Sequence, residues 1–245
     1  MSGYWALVAA VFVLGGVVKG ATGMGLPTVA MAILGGLMSP VAAAGLMIVP
    51  AFVTNIWQLL AGPSFAALAR RLWPMLAAIF VATIAGGAVL AEGDTRATTA
   101  GLGAALVLYA GHALLARPLV LPARLEPWLS PLVGAATGLV TGGTGVFVIP
   151  SVPYLQALGL GKDDLVQALG LSFTVSTVAL AIGLGGRGAV DGGSLGASAL
   201  AVVPALAGMA LGQAVRHRIS PARFRRWLLV CLLLLGAEML SRSFR

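Results

Sequence analysis

Two short segments rich in glycine and threonine could bind a small anion. Residues 19–25 read Lys-Gly-Ala-Thr-Gly-Met-Gly, and residues 141–145 read Thr-Gly-Gly-Thr-Gly. Proline follows both segments, at Pro27 in the first and at Pro150 and Pro153 in the second. Glycine admits backbone conformations that end a helix, and proline is favoured in the first turn of a new one. Each segment is therefore predicted to be a tip between two half-helices.

The chemistry expected at the tips is anion binding by helix ends. A new helix is predicted to begin near Gly25 and another near Val146. The first turn of a helix presents unpaired N–H groups and a partial positive charge, which attract anions. Two such ends facing each other at the membrane centre would form one site, with Lys19 beside it and the hydroxyls of Thr22 and Thr144 as donors. The alternative is that the glycines only let helices pack closely.

Polar side chains on the predicted spans could extend this site into a central path. Ser, Thr and Asn in membrane helices also serve as interhelical hydrogen-bond partners, so a purely structural role is the alternative. The candidate substrate-binding residues are Lys19, Gly20, Thr22, Gly23, Gly25, Asn55, Gln58, Thr141, Gly142, Gly143, Thr144, Gly145, Ser172 and Ser176.

The elements that position these residues must be membrane helices. Charged residues make up 9% of the 245 residues and hydrophobic residues 59%, whereas a soluble domain carries about 25% charged residues. Backbone groups in lipid must be satisfied within helices or closed barrels, and the apolar runs here lack the alternation of a barrel. The predicted fold class is therefore an all-α polytopic membrane protein, which the lipid bilayer surrounds.

Six segments are long enough to cross the bilayer, which takes roughly 20 apolar residues. They are residues 40–62, 72–91, 97–116, 165–186, 193–215 and 224–240. Two further stretches, residues 4–38 and 128–160, contain the tips. With arms of about 15 residues, or roughly 22 Å, neither arm is expected to cross alone. Each stretch is predicted to be a re-entrant hairpin, with a single broken crossing helix as the alternative.

The loop charges favour the hairpins. If both stretches re-enter, ten of the 15 Lys and Arg residues lie on one side and four on the other, whereas two crossing helices would give seven on each side. Because cytoplasmic loops are enriched in Lys and Arg, the side with ten is predicted to be cytoplasmic and both termini to lie outside. The ten are Arg70, Arg71, Arg117, Arg124, Lys162, Arg216, Arg218, Arg223, Arg225 and Arg226.

The chain is predicted to consist of two similar halves. Residues 19–23 align with residues 141–145 at a spacing of 122 residues, and residues 43–46 align with residues 168–171 at a spacing of 125. The first repeat would cover residues 1–116 and the second 128–245, joined by a linker at 117–127. One hairpin plus three spans is an odd number of crossings, so the second repeat would be inverted relative to the first, as in many secondary transporters.

Other kinds of site have little support in the sequence. The net charge of +8 is explained by loop topology without a nucleic acid, and no metal cluster, cofactor motif or catalytic triad is recognisable. We therefore expect neither a cofactor nor an enzyme. Gly208 and Gly212 form a Gly-x-x-x-Gly pattern that indicates close helix packing. A second copy of the chain, forming a homodimer, is one candidate for the helix that packs there.

The sequence resembles the sulfite exporter TauE/SafE family. The resemblance rests on the tips at residues 20–25 and 142–145, the two similar halves, the chain length, and the segment 54–58, Thr-Asn-Ile-Trp-Gln. It implies a bacterial inner-membrane transporter of sulfite, sulfonates or other small organic or sulfur-containing anions. The function expected is therefore a secondary transporter, with export as the expected direction. An anion-selective channel is the alternative, because opposed re-entrant hairpins also build pores.

Overall fold

The computed structural model describes residues 2–115, 120–215 and 221–243, and these residues form helices joined by short links, with no strand among them. The helices are α1 (Ser2–Thr22), α2 (Leu26–Leu37), α3 (Pro40–Leu60), α4 (Phe65–Glu92), α5 (Thr95–Leu115), α6 (Glu126–Thr144), α7 (Ser151–Ala157), α8 (Lys162–Gly185), α9 (Gly192–Leu200), α10 (Val202–Val215) and α11 (Pro221–Ser243). The all-helical fold class is thus confirmed. Arg117, Arg216, Arg218 and Arg245, which entered the charge argument, lie outside the described residues, as do linker residues 117–119.

Six helices or helix pairs of the described chain are long and apolar enough to cross a membrane: Gly3–Thr22, Pro40–Leu60, Phe65–Glu92, Thr95–Leu115, Lys162–Gly185 and Gly192–Val215. Five of them overlap spans that were predicted from the sequence. The predicted span at 193–215 is interrupted at Ala201, between α9 and α10. The predicted span at 224–240 lies in α11, where Arg225, Arg226 and Glu238 shorten the uncharged stretch.

The arms of the two broken segments are unequal, contrary to the prediction of two short arms of similar length. The helix α1 has 21 residues, about 31 Å at 1.5 Å per residue, which is long enough to span by itself. The arm α2 has 12 residues, α6 has 19 and α7 has only 7. The glycines before each tip are helical. They are contact points with neighbouring helices and do not end the helix in which they lie.

The chain reverses direction at both tips. After the first tip, Leu26 lies against Gly15, so α2 runs back along α1. In the second broken segment, the backbone N–H of Leu121 donates to the carbonyl of Ala157 at 2.8 Å. The start of α6 and the end of α7 therefore lie at the same end of the molecule.

Glycines set the closest helix pairs. A Cβ atom at Gly208 or Gly212 would overlap the backbone of Val13 or Val17 on α1. Likewise, a Cβ atom at Gly142 would lie 2.5 Å from the carbonyl oxygen of Thr83 on α4. The Gly-x-x-x-Gly pattern of α10 is thus occupied by α1 of the same chain, and a second copy is not needed to explain it.

The order of these contacts gives the helix directions. The helices α1 and α10 run parallel, since contacts advance along both together, and α6 runs parallel to α4 in the same way. The helices α3 and α8 are antiparallel: Gly62 lies against Gln167, whereas Asn55 lies against Thr177. The helices α3 and α8 have 13 buried residues each, and nine of the 12 residues of α2 are buried.

Candidate functional site

The two tips have the same local geometry. The hydroxyl of Thr22 donates to the carbonyl of Val18 at 2.9 Å, and that of Thr144 donates to the carbonyl of Val140 at 2.6 Å. The residue after each threonine is a glycine with positive φ, 79° at Gly23 and 71° at Gly145. Such a φ favours glycine and ends the helix. The tip hydroxyls thus act as helix-end caps.

The tips are shorter than the sequence indicated. Lys19, Gly20 and Thr22 belong to the last turns of α1, and residues 141–144 belong to the last turn of α6. After the first tip the next helix begins at Leu26, close to the predicted position. After the second tip the next helix begins at Ser151 and not near Val146. Residues 146–148 are buried and non-helical, so no helix end is presented there.

The tips lie in different surroundings. Gly23 lies near Val166 of α8, and Met24 accepts a weak hydrogen bond from the Tyr109 hydroxyl at 3.8 Å. By contrast, Gly145 packs against Met31 of α2, and the nearby Gly142 packs against α4. The glycine contacts therefore differ between the two tips.

A cavity of about 350 Å³ lies at the first tip. Its polar lining comes from six helices: the end of α1, the start of α2, the later parts of α5 and α7, and the first turns of α8 and α11. These residues are Thr22, Thr28, Tyr109, Gln156, Lys162 and Arg225, and no acidic residue is among those that line the cavity. The remaining lining is apolar, mostly leucine side chains of α8 and α11.

The electrostatics of this cavity favour an anion. The two cationic side chains belong to Lys162, the first residue of α8, and to Arg225, in the first turns of α11. The helix α2 begins at the cavity with Gly25 as its N-cap, and its first N–H groups lack partners within the helix. The hydroxyl of Thr28, in that first turn, is 1% exposed and has no hydrogen-bond partner in the described chain.

A chain of hydrogen bonds lies beside this cavity. The side-chain nitrogen of Lys19, a residue that is 3% exposed, donates to the side-chain oxygen of Asn55 on α3. The side-chain amide of Asn55 donates to the hydroxyl of Thr177 on α8 at 3.2 Å. One turn later on α3, the amide of Gln58 donates to the carbonyl of Val166 at 2.8 Å. Val166 lines the cavity, so this separate hydrogen bond lies at the cavity wall.

The structure brings together only part of the predicted site set. Thr22 and Gly25 line the cavity, and Lys19, Asn55 and Gln58 make the hydrogen bonds next to it. Ser172 and Ser176 are buried on α8, and their hydroxyls have no hydrogen-bond partner in the described residues. The second-tip residues lie elsewhere, as described above.

Five polar cavity residues were not predicted from the sequence: Thr28, Tyr109, Gln156, Lys162 and Arg225. Lys162 and Arg225 were interpreted only as loop charges that set the topology. Lys162 and Arg225 lie 137 and 200 residues after Gly25 in the sequence, so no local sequence pattern connects them with the first tip. The signal that could have found Thr28 is its place in the first turn after the tip, where a helix N-terminus was already expected.

A metal centre is not evident in the part of the chain that the structure describes, where no group of three or more His, Cys, Asp or Glu side chains lies together. Comparison with known proteins gives one family. No curated protein and no solved structure matches the chain. The sequence model of the family "Sulfite exporter TauE/SafE" matches residues 7–239, nearly the whole chain. The chain therefore belongs to the sulfite exporter TauE/SafE family of membrane transporters.

Proposed function

We propose that this protein is a secondary transporter that exports small anions such as sulfite, sulfonates or related organic acids, and that it binds them in the cavity at the first tip. The main support for this binding site is the lining of the cavity, which includes Lys162 and Arg225 and no acidic residue. Family membership supports the transport of anions.

Three kinds of group would hold the anion. Lys162 and Arg225 supply positive charge, and Arg225 offers a planar fork of N–H donors that suits a sulfonate or carboxylate. The N-terminus of α2 supplies backbone N–H groups and the positive end of its dipole. The buried hydroxyl of Thr28 supplies a further donor. The positive φ of Gly25, 109°, lets the chain turn into α2 at this point.

This proposal differs from the site expected from sequence, which lay between two facing tips. The second tip is packed against Met31 and Thr83, and the helix that follows it begins only at Ser151. Lys162 and Arg225 also have no cationic counterparts in the other half. At the spacing of 122 residues, the counterparts of Lys162 and Arg225 are Pro40 and Gly103. We therefore place the anion at the first tip.

Transport would use the two halves as inverted repeats. The first helix of each half pairs with a later helix of the other half, α1 with α10 and α6 with α4, and both pairs are parallel. The corresponding helices α3 and α8 are antiparallel, as an inverted repeat requires. Rocking of the halves about this central pair would expose the cavity to one side at a time. With the basic end cytoplasmic, the conformation described would load anion from the cytoplasm.

The test is transport of labelled ethanesulfonate, sulfoacetate and sulfite by the protein in proteoliposomes. The carrier predicts saturable uptake that is accelerated by unlabelled anion on the opposite side. The channel alternative, which the reversal of the chain at both tips favours, predicts flux that is not accelerated in this way. An absence of flux for all three anions would contradict the proposal.

The variants Lys162→Gln and Arg225→Gln should each raise the KM for the anion about tenfold or more, because a hydrogen bond to a charged group contributes about 1.5–3 kcal/mol. The matched control is Arg226→Gln. Arg226 is adjacent to Arg225 on α11, but its side chain is exposed and does not line the cavity. Equal effects of all three variants would indicate a general charge effect and would contradict this site.

A further inference from the structure

Lys19 is a buried amine whose hydrogen-bond partner is neutral. Its side chain is 3% exposed, and the side-chain oxygen of Asn55 accepts from it. None of the salt bridges found in the described chain includes Lys19. A protonated lysine has three N–H donors and a full charge, and burial of such a charge without a countercharge is costly. Lys19 is therefore stable either as a neutral amine or in the presence of an anion.

The helices around Lys19 supply no such anion. The helices α2, α3 and α10, which pack closest, contain no ionisable residue. On α5, α8 and α11 the ionisable groups that line the cavity are Tyr109, Lys162 and Arg225. The same end of these helices also has Asp163 and Asp164 in the first turn of α8, His112 on α5 and Arg226 on α11. At the other end of α11, Glu238 pairs with Arg242. The nearest groups that line the cavity are thus cationic, and they oppose a proton on Lys19.

An anion in the cavity would reverse this balance. Thr22, which lines the cavity, lies three residues after Lys19 on α1, and residues with this spacing are neighbours on a helix surface. The second connection runs through α3, where Gln58 lies three residues after Asn55 and donates to Val166 at the cavity wall. The side-chain oxygen of Gln58 is buried and has no hydrogen-bond partner in the described chain.

We propose that Lys19 takes up a proton when an anion occupies the first-tip cavity, so that the carrier moves the anion and the proton together. The proton comes from water and binds to the lone pair of the neutral amine, and it is released when the anion leaves. By linkage, anion binding strengthens proton binding and protonation strengthens anion binding by the same factor. This inference rests on the proposed function, because it requires the anion to bind at the first tip.

The second tip suggests which residue should replace Lys19 in a test. Lys19 corresponds to Thr141 of the second tip, and the carbonyls of both residues accept the N–H of the positive-φ glycine at 2.7 Å. Threonine is therefore compatible with this tip geometry, and Lys19→Thr removes the titrating group with little risk to the fold. Lys19→Arg keeps a positive charge that does not titrate. Because sulfite itself titrates near neutral pH, the probes should be ethanesulfonate and sulfoacetate, which stay fully ionised between pH 6 and pH 9.

The experiment measures proton uptake and anion affinity together on the purified protein in weakly buffered detergent solution containing a pH-indicator dye. The native protein should take up protons when the probe anion is added, and its affinity for the anion should fall by up to tenfold per pH unit at the alkaline end. Lys19→Arg should bind the anion with no proton uptake and a flat pH profile. Lys19→Thr should bind more weakly, also with a flat profile.

The outcomes separate the two proposals. Anion binding by the native protein without proton uptake, or an unchanged pH profile in both Lys19 variants, would overturn the role of Lys19 and leave the anion site in place. If neither probe binds to the native protein at any pH, the site itself is contradicted. A loss of binding in Lys162→Gln, with Lys19→Arg still able to bind, is the pattern that supports both proposals.

Discussion

The side-chain amide of Asn55 donates to the hydroxyl of Thr177 at 3.2 Å, and these two residues are 122 residues apart. The same spacing relates Lys19 to Thr141, Thr22 to Thr144 and Gly23 to Gly145. Within α3 and α8 the aligned segments 43–46 and 168–171 have a spacing of 125, so Asn55 and Thr177 are near but not at equivalent positions. Their hydrogen bond joins α3 to α8, and the side chain of Lys19 is bonded directly to it.

Replacement of Asn55 should destabilise the protein because it leaves buried partners unsatisfied. Asn55→Leu removes the acceptor of Lys19, and a buried group without a partner costs about 1–3 kcal/mol, or more when it is charged. Thr177→Val removes only the far end of the chain and should cost less. Thermal unfolding in detergent measures both changes. Equal stability of Asn55→Leu and the native protein would show that the chain of hydrogen bonds contributes nothing to the fold.

The glycine contacts between α1 and α10 should tolerate no side chain. Gly208→Ala places a Cβ atom against the backbone of Val13, and the helices must separate, at a cost of about 1–3 kcal/mol. The matched control is Gly111→Ala on α5, where the added Cβ atom would meet nothing within 4 Å. Alanine should be neutral or slightly stabilising there. The same unfolding measurement compares the two, and a neutral Gly208→Ala would contradict the packing.

A hydrogen bond holds the two ends of the second hairpin together. The hydroxyls of Ser130 on α6 and Tyr154 on α7 are 2.5 Å apart, and both residues are buried. We expect Ser130→Ala and Tyr154→Phe each to reduce the free energy of unfolding by about 1 kcal/mol. The double variant should cost less than the sum of the two, since both single changes break the same bond. Strict additivity would mean that the two hydroxyls do not interact.

The start of α9 should respond to acid pH through Asp191. Hydrogen bonds from the hydroxyl and the backbone N–H of Ser194 hold the pKa of the Asp191 carboxyl below its usual range. The cap therefore contributes its full stability above the ordinary pKa of an aspartate, and this contribution is lost as the pH falls through the lowered pKa. Amide exchange in residues 192–200, corrected for its intrinsic pH dependence, should accelerate in acid. Asp191→Asn, which keeps an acceptor without a charge, should lose this dependence.

The sequence was sufficient to predict the helical membrane fold, five of the six candidate spans and the family. These depend on long apolar runs and on duplicated tips, which are local features. The length of α1 was underestimated because the helix break was predicted at residues 19–25, although Gly20 and Thr22 are still helical. Gly16 and Gly20 instead face the backbone of α10, and Gly15 lies against Leu26. A glycine that breaks a helix and one that lets another helix approach look alike in a single sequence.

The anion cavity could be predicted only in part, for a similar reason. The helix N-terminus at Leu26 followed from the glycine and proline pattern around it. Lys162 and Arg225 line the cavity only because α8 and α11 pack against the first tip. In the sequence, a basic residue that binds an anion looks the same as a basic loop residue that sets the membrane topology. The bond between Lys19 and Asn55 likewise joins residues on separate helices.

The central claim is that an anion binds at the first tip, and its most direct test is the thermal stability of the purified protein with ethanesulfonate, sulfoacetate, sulfite, sulfate and acetate. A ligand that binds only the folded state stabilises it by about 2.7 kcal/mol at a hundredfold excess over Kd. The account predicts a rise in Tm with at least one of these anions, which is weakened in Thr28→Val, Lys162→Gln and Arg225→Gln and retained in Arg226→Gln. No rise with any anion, or a rise that the three cavity variants leave unchanged, would contradict it.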